Sequence, residues 1–302
     1  MDNVAHMQLH VPHPVDEVYK AMTSPDAMQQ WLAAEHAKVD LANNIYQFWG
    51  KFTPEAPTEP RQKLLAAEPN RLLKFQWTVL DDEDTVVTML LGEHKGRTIL
   101  DVRHDTTSMK DGVPRDYNFF DFWLVHLENL RRYLDGKPIA DTRTNYSDES
   151  TDAIRHEIEI DAPPDRVFQI LTDPQEMEKW IANSATFTDE ELSYGWEGVP
   201  PIKILDLQPN QKLEHVWSGT SVVTWTLSEH DGKTRLTFVH SGFDDDRKRD
   251  ERTGWLNFMS WIRAIAEYGD QWRTIVVDIP TGWNSYYSKS MNEAEADMIE
   301  LT

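Results

Sequence analysis

The sequence predicts an α+β chain of two like domains, each a curved antiparallel sheet wrapped on a long C-terminal helix. Three observations carry that prediction. Residues 13–31 and 162–180 align without a gap at an offset of 149, with Asp16/Asp165, Val18/Val167, Thr23/Thr172, Pro25/Pro174, Met28/Met177 and Trp31/Trp180 in register. The likeness returns downstream in the same order, 69–77 with 209–217 and 86–104 with 222–240, at offsets of 140 and 136. Both copies then read as one succession of elements: a strand, two short helices, a run of strands and a long amphipathic helix. Shifts of offset between matched blocks are the insertions that loops tolerate. A repeat this long is a whole domain rather than a solenoid unit of roughly 20–50 residues.

Each copy opens with a strand, Met7–Val11 or Ile154–Ile160, and in the second the apolar residues are spaced by polar ones as in a half-buried strand. Prolines 12 and 14, or 163 and 164, stop it. The segments Asp16–Met22 and Asp165–Leu171 carry apolar residues at helical spacing. A second short helix begins at Ser24 or Asp173 as N-cap with proline in the first position. Strands are expected at Ile45–Phe52, Gln62–Ala66, Leu72–Leu80, Val86–Gly92 and Arg97–His104. Their counterparts are Glu191–Glu197, Ile202–Gln208, Leu213–Ser218, Ser221–Glu229 and Lys233–His240. Gly96 and Gly232 fall where a tight hairpin needs positive φ. The closing helices carry stripes of Trp123, Leu127, Leu130 and Leu134, and of Trp255, Phe258, Met259, Ile262 and Ile265. An antiparallel sheet with one apolar face needs a cover, and these helices supply it. The expected boundaries are a first domain at 1–136, a polar linker at 137–152, a second domain at 153–273 and a C-terminal extension at 274–302 without a counterpart in the first copy.

Composition narrows the function. The 302 residues carry a formal net charge of −22, which repels phosphate backbones and anionic lipids, so neither nucleic acid nor membrane insertion is expected. There is no cysteine, hence no disulfide and no thiolate metal site. The first residues lack a basic, apolar leader, and a soluble, cytoplasmic protein is expected. His10 and His13 are separated by Pro12, which no helix aligns into a metal pair. The chain has no G-x-S-x-G, no phosphate-cradling glycine loop and no H-E-x-x-H, so no catalytic residue, metal or cofactor is assigned.

Three motifs occur twice: Thr23, Pro25, Met28, Trp31 with Thr172, Pro174, Met177, Trp180; Leu73, Trp77 with Leu213, Trp217; and Thr88, Glu93, Gly96, Thr98, His104 with Thr224, Glu229, Gly232, Thr234, His240. With this order of elements, the chain resembles the helix-grip fold of the START-like (SRPBCC) superfamily. It is closest there to the homologues of the activator of the heat-shock-protein-90 ATPase. The first copy departs from the pattern at residues 103–107, RHDTT, where the second has VHSGF. The resemblance implies a cavity between sheet and long helix that takes lipids, hormones or polyketides, or else cyclase or chaperone-assisting activity. The candidate cavity residues are Trp49, Phe75, Trp77, Met89, His104, Trp123 and Leu127 in the first copy, and Trp196, His215, Trp217, Trp225, His240, Trp255 and Met259 in the second. Phe75 matches His215 and Met89 matches Trp225, so the two interiors differ in content, or one of them is filled. The expected function is non-catalytic binding of an apolar or amphipathic small molecule. The alternatives are a co-chaperone-like module acting on a heat-shock chaperone ATPase, with that chaperone as partner, and a polyketide cyclase/aromatase-like enzyme.

Overall fold

The computed structural model describes residues 4–32, 34–79, 83–105, 119–139, 141–148, 152–243, 248–279 and 284–301. The chain divides into two compact units: Met1–Glu149 with Ile275–Asp278 and Met298–Thr302, and Ser150–Thr274 with Ile279–Asp297. The first unit runs β1 (Val4–Val11), α1 (Val15–Thr23), α2 (Pro25–Trp31), β2 (His36–Asp40), β3 (Ile45–Trp49), β4 (Gln62–Glu68), β5 (Leu72–Val79), β6 (Glu83–His94), β7 (Arg97–Asp105) and α3 (Phe119–Leu134). The second runs β8 (Ala153–Ile160), α4 (Pro164–Thr172), α5 (Pro174–Trp180), β9 (Thr186–Phe187), β10 (Glu191–Ser193), β11 (Ile202–Gln208), β12 (Lys212–Val216), β13 (Val222–His230), β14 (Lys233–Ser241) and α6 (Lys248–Tyr268). The short strand β15 (Val276–Val277) and helix α7 (Lys289–Ala294) follow. The sheets are antiparallel, in the orders β15-β1-β7-β6-β5-β4 and β8-β14-β13-β12-β11-β10-β9. Each carries a bulge at the same place, between Leu64 and Ala66 and between Ile204 and Asp206. Both units are helix-grip domains of the α+β class.

The repeated motif residues are the ties that hold this architecture. Trp31 Nε1 donates to the Ala21 carbonyl at 2.9 Å, and Trp180 Nε1 to the Ile170 carbonyl at 3.1 Å, closing each pair of short helices. Thr98 and Thr234 donate to the carbonyls of His13 and Ala162, fixing the turn that leaves each first strand. The long hairpins turn on Lys95-Gly96 and Asp231-Gly232, with φ of 49°, 75°, 53° and 78°. Positive φ at both central residues is the type I′ geometry that matches strand twist. Asp173 caps α5 by accepting from the N–H groups of Gln175 and Glu176, whereas Ser24 makes no side-chain cap bond to α2.

Some expected boundaries move. The strand expected at Ile45–Phe52 ends at Trp49, because Gly50 turns the chain at φ 113°. That expected at Glu191–Glu197 ends at Ser193, because Gly195 turns at φ 69° so close to Ser184 that no Cβ fits. Strands β2 and β9 were not anticipated; β2, HAKVD, is mostly polar and partly exposed, and it pairs with β3 outside the main sheet. Of the RHDTT departure, Thr106 and Thr107 lie outside the described residues. Within the expected linker, Thr142 is bonded to the first unit: Thr142 Oγ1 donates to Asn129 Oδ1 at 2.6 Å, and Asn129 Nδ2 returns a bond to the Thr142 carbonyl. No helix among the described residues is long and apolar enough to cross a membrane.

The C-terminal segment joins the outer edge of the first sheet. Val276 and Val277 pair with Gln8 and Met7. The Gln8 amide then bonds the backbone of Ile299 on both sides, at 2.6 and 2.9 Å. Gln8 also donates to the buried Asp101 carboxylate, which receives His6 and Arg103 as well. Burial alone would raise the Asp101 pKa; the hydrogen bonds from His6, Gln8 and Arg103 outweigh it and hold the carboxyl below its ordinary value. Leu301 lies over Gly92, where an added Cβ would stand 2.6 Å from Leu301 Cδ2. Gly92→Val is therefore expected to displace the last residues at a cost of about 1 kcal/mol or less. The check is carboxypeptidase digestion, which should trim the variant faster; equal rates would show that Leu301 does not depend on this space.

Candidate functional site

Each long helix sends one tryptophan to one strand histidine. Trp123 Nε1 donates to His104 Nδ1, and Trp255 Nε1 to His240 Nδ1, both at 3.1 Å. Both histidines are fully buried. Accepting at Nδ1 places the ring hydrogen on Nε2 in each. From there the two units part.

In the first unit every position around the pair is filled. Thr85 donates to the Trp77 carbonyl at 2.8 Å and so presents an acceptor lone pair to His104 Nε2, also at 2.8 Å. Burial pushes the His104 pKa down to about 3, so the ring stays neutral. Trp77 is 1% exposed and stacks on His104 with centroids 5.6 Å apart. Phe48, Phe119 and Phe122 pack on Trp77 at 5.0, 5.3 and 5.5 Å.

In the second unit the same frame carries different side chains. At the offset of 136, Thr85 becomes Ser221, whose hydroxyl bonds the backbone of Ser218 instead. His240 Nε2 is left buried without a hydrogen-bond partner among the described residues. At the offset of 132 that relates Trp123 to Trp255, Phe119 becomes Glu251 and Phe122 becomes Gly254. Glu251 Oε2 stands 3.1 Å from His240 Nδ1, and Phe243 packs on the same imidazole at 4.3 Å. Phe75 becomes His215, whose Nδ1–H donates to the Val216 carbonyl at 2.8 Å. Its Nε2 is likewise buried and unpartnered among the described residues. Burial, opposed by the Val216 bond and reinforced by His240, lowers the His215 pKa to about 4. His215 and His240 both stand opposite Val223 on the strand between them, so they share one face of the sheet. Trp217, the counterpart of Trp77, is only half-buried; its ring meets Trp255 at 4.5 Å, Trp196 at 5.8 Å, and Tyr194 and His240 at 6.0 Å.

Of the candidate residues in the second unit, Trp196, His215, Trp217, His240 and Trp255 come together here. Trp225 lies deeper, against Trp180, Phe238 and Trp255, and Met259 is buried on α6. In the first unit Trp77, His104 and Trp123 form one cluster, and Phe75 joins it through Phe48. Met89 and Leu127 are core. Trp49 points the other way: Tyr46 and Phe48 are the buried residues of β3, while Trp49 stands against His36. Glu251 and Gly254 were missed; carrying the repeat alignment through the helices would have exposed both exchanges. A separate surface groove of about 480 Å³, lined by Asp165, Phe168, Phe187, Asp189, Leu207 and their neighbours, shares no residue with this set.

Three solved structures show the range of similar proteins. DynU16, from the dynemicin biosynthetic locus, is 18% identical, with 88% of this chain and 98% of that chain covered and a TM-score of 0.36. The Aha1 dimer from Colwellia psychrerythraea is 23% identical over 39% of this chain and 98% of that one, with a TM-score of 0.35. MLL2253 from Mesorhizobium loti is 26% identical over 39% and 98%, with a TM-score of 0.34. No curated protein matches the chain. A sequence profile described as "Activator of Hsp90 ATPase homolog 1-like protein" matches residues 12–135 and again 161–267, each match falling on one helix-grip unit. The chain is a tandem member of the Activator of Hsp90 ATPase homolog 1-like protein family.

Proposed function

We propose that the second unit binds an apolar or amphipathic small molecule against Trp217, between sheet and α6, without transforming it. In the first unit the corresponding space is taken by the protein's own side chains. The observation that carries this reading is the exchange of Phe119 and Phe122, which pack on Trp77, for Glu251 and Gly254, together with a Trp217 that is only half-buried. Two phenyl groups that cover Trp77 have no counterpart at Trp217, and aromatic walls with a few polar groups are what small-molecule sites use. A guest that hides about 150 Å² of apolar surface gains roughly 4 kcal/mol before the costs of association.

The test is native mass spectrometry of freshly purified protein, followed by equilibrium dialysis with naphthalene. One guest bound per chain, lost on Trp217→Ala with the fold retained, is the expected result. Absence of saturable binding would discard the reading. A second reading, a cyclase-like enzyme, is favoured by one observation: a carboxylate beside a buried imidazole is an acid–base pair. Recovery of the bound compound unchanged after long incubation would remove that alternative.

A further inference from the structure

We infer that the guest is a neutral hydroxyl-bearing aromatic compound whose hydroxyl sits between His240 and His215; this rests on the binding site proposed above. The aromatic character follows from the comparison within the chain. Where the second unit has Glu251 and Gly254, the first places two phenyl rings on Trp77, one edge-on and one tilted. The walls around Trp217 are themselves Trp196, Tyr194 and Trp255.

The hydroxyl follows from the hydrogen-bond inventory. Trp255 Nε1–H donates to His240 Nδ1, an atom that Glu251 Oε2 also approaches to 3.1 Å; with the indole bond made, Nε2 carries the hydrogen and is a donor. Val216 occupies the Nδ1–H of His215, so Nε2 of that ring is a lone-pair acceptor. Both rings are fully buried, and neither Nε2 has a partner among the described residues. They flank Val223 on strands two spacings apart, about 9.6 Å between backbones, with their side chains on one face. One donor and one acceptor on the same face of the sheet are the complement of O–H, which accepts and donates at a single atom. The other common polar groups fit less well. A ketone or ether accepts only and leaves His215 unmatched. An ammonium donates only and leaves His240 unmatched. A carboxylate would face the His215 lone pair and the nearby Glu251 oxygen. The first unit offers no such pair: Phe75 stands at the position of His215, and Thr85 already takes the Nε2–H of His104.

The experiment is equilibrium dialysis of the full chain with 2-naphthol, 2-methoxynaphthalene and naphthalene. The expected result is 2-naphthol binding about ten- to hundredfold more tightly than naphthalene, the effect of two net hydrogen bonds, and about two- to tenfold more tightly than 2-methoxynaphthalene, whose ether oxygen accepts from His240 but leaves His215 unmatched. His215→Phe introduces the residue that the first unit already accommodates, and it should bring 2-naphthol down to the level of 2-methoxynaphthalene. Equal binding of all three compounds by the unaltered protein would overturn the hydroxyl inference while sparing the binding site. Retention of the 2-naphthol preference in His215→Phe would overturn it as well. No binding of any of the three would overturn both.

Discussion

Trp77→Ala is expected to cost the first unit about 3–5 kcal/mol, the usual range for removing a large aromatic from a packed core, while Trp217→Ala costs the second unit less than half of that. The two tryptophans hold matching positions in matching motifs, and the difference lies in what surrounds them. Trp77 is 1% exposed, with His104 stacked on it and Phe48, Phe119 and Phe122 at its edges. Removing the indole leaves a closed void lined by rings that are themselves wedged between sheet and helix. Trp217 is half-buried, and Gly254 is the counterpart of the Phe122 that packs on Trp77. Removing it enlarges a space that water already reaches, so less packing is lost and no closed void forms. Two units need not unfold in one transition, so each variant should be followed by urea denaturation with a probe assigned to its own unit. Equal losses for the two variants would mean that the second interior is as solidly filled as the first.

Gly254→Phe is expected to close the second site. It returns to α6 the residue that α3 carries as Phe122, where the second helix has no side chain at all. Naphthalene affinity should fall more than tenfold. Stability should rise, because glycine in a helix interior is worth about 1 kcal/mol less than a good helix former and the new ring covers Trp217. Loss of binding with raised stability separates filling from unfolding, since an unfolded variant loses both. Unchanged affinity would place the guest elsewhere.

The fold was legible because its signals are local and doubled. Trp31 and Trp180, Thr98 and Thr234, and the glycines at 96 and 232 each close one hydrogen bond or one turn that the helix-grip layout needs. Such residues persist in both copies, and a search for likeness finds them. The site was only half legible for the same reason. His104, His240, Trp123 and Trp255 stood out because they repeat. What distinguishes the surroundings of Trp77 from those of Trp217 lies where the copies disagree: Phe119 against Glu251, Phe122 against Gly254, Thr85 against Ser221. Those positions carry no motif, and likeness passes over them. Trp49 illustrates a different failure. Large aromatics attract attention, but alternation decides which side of a strand faces inward, and on β3 the inward residues are Tyr46 and Phe48. The strand β2 was hidden because its pairing is made by backbone groups, to which the polar residues of HAKVD give no clue.

The pairing of β1 with β15 gives the chain an order of assembly. The residues that finish the first sheet are made long after its first strand, since Val276, Val277 and Ile299 come more than 260 positions after Met7 and Gln8. Until then the nascent N-terminal half carries a bare strand edge, the feature through which chains recruit one another into unwanted sheets. A stop codon after the first unit but before residue 275 would make that exposure permanent, so cells translating such a message would accumulate a sticky fragment rather than a working single domain.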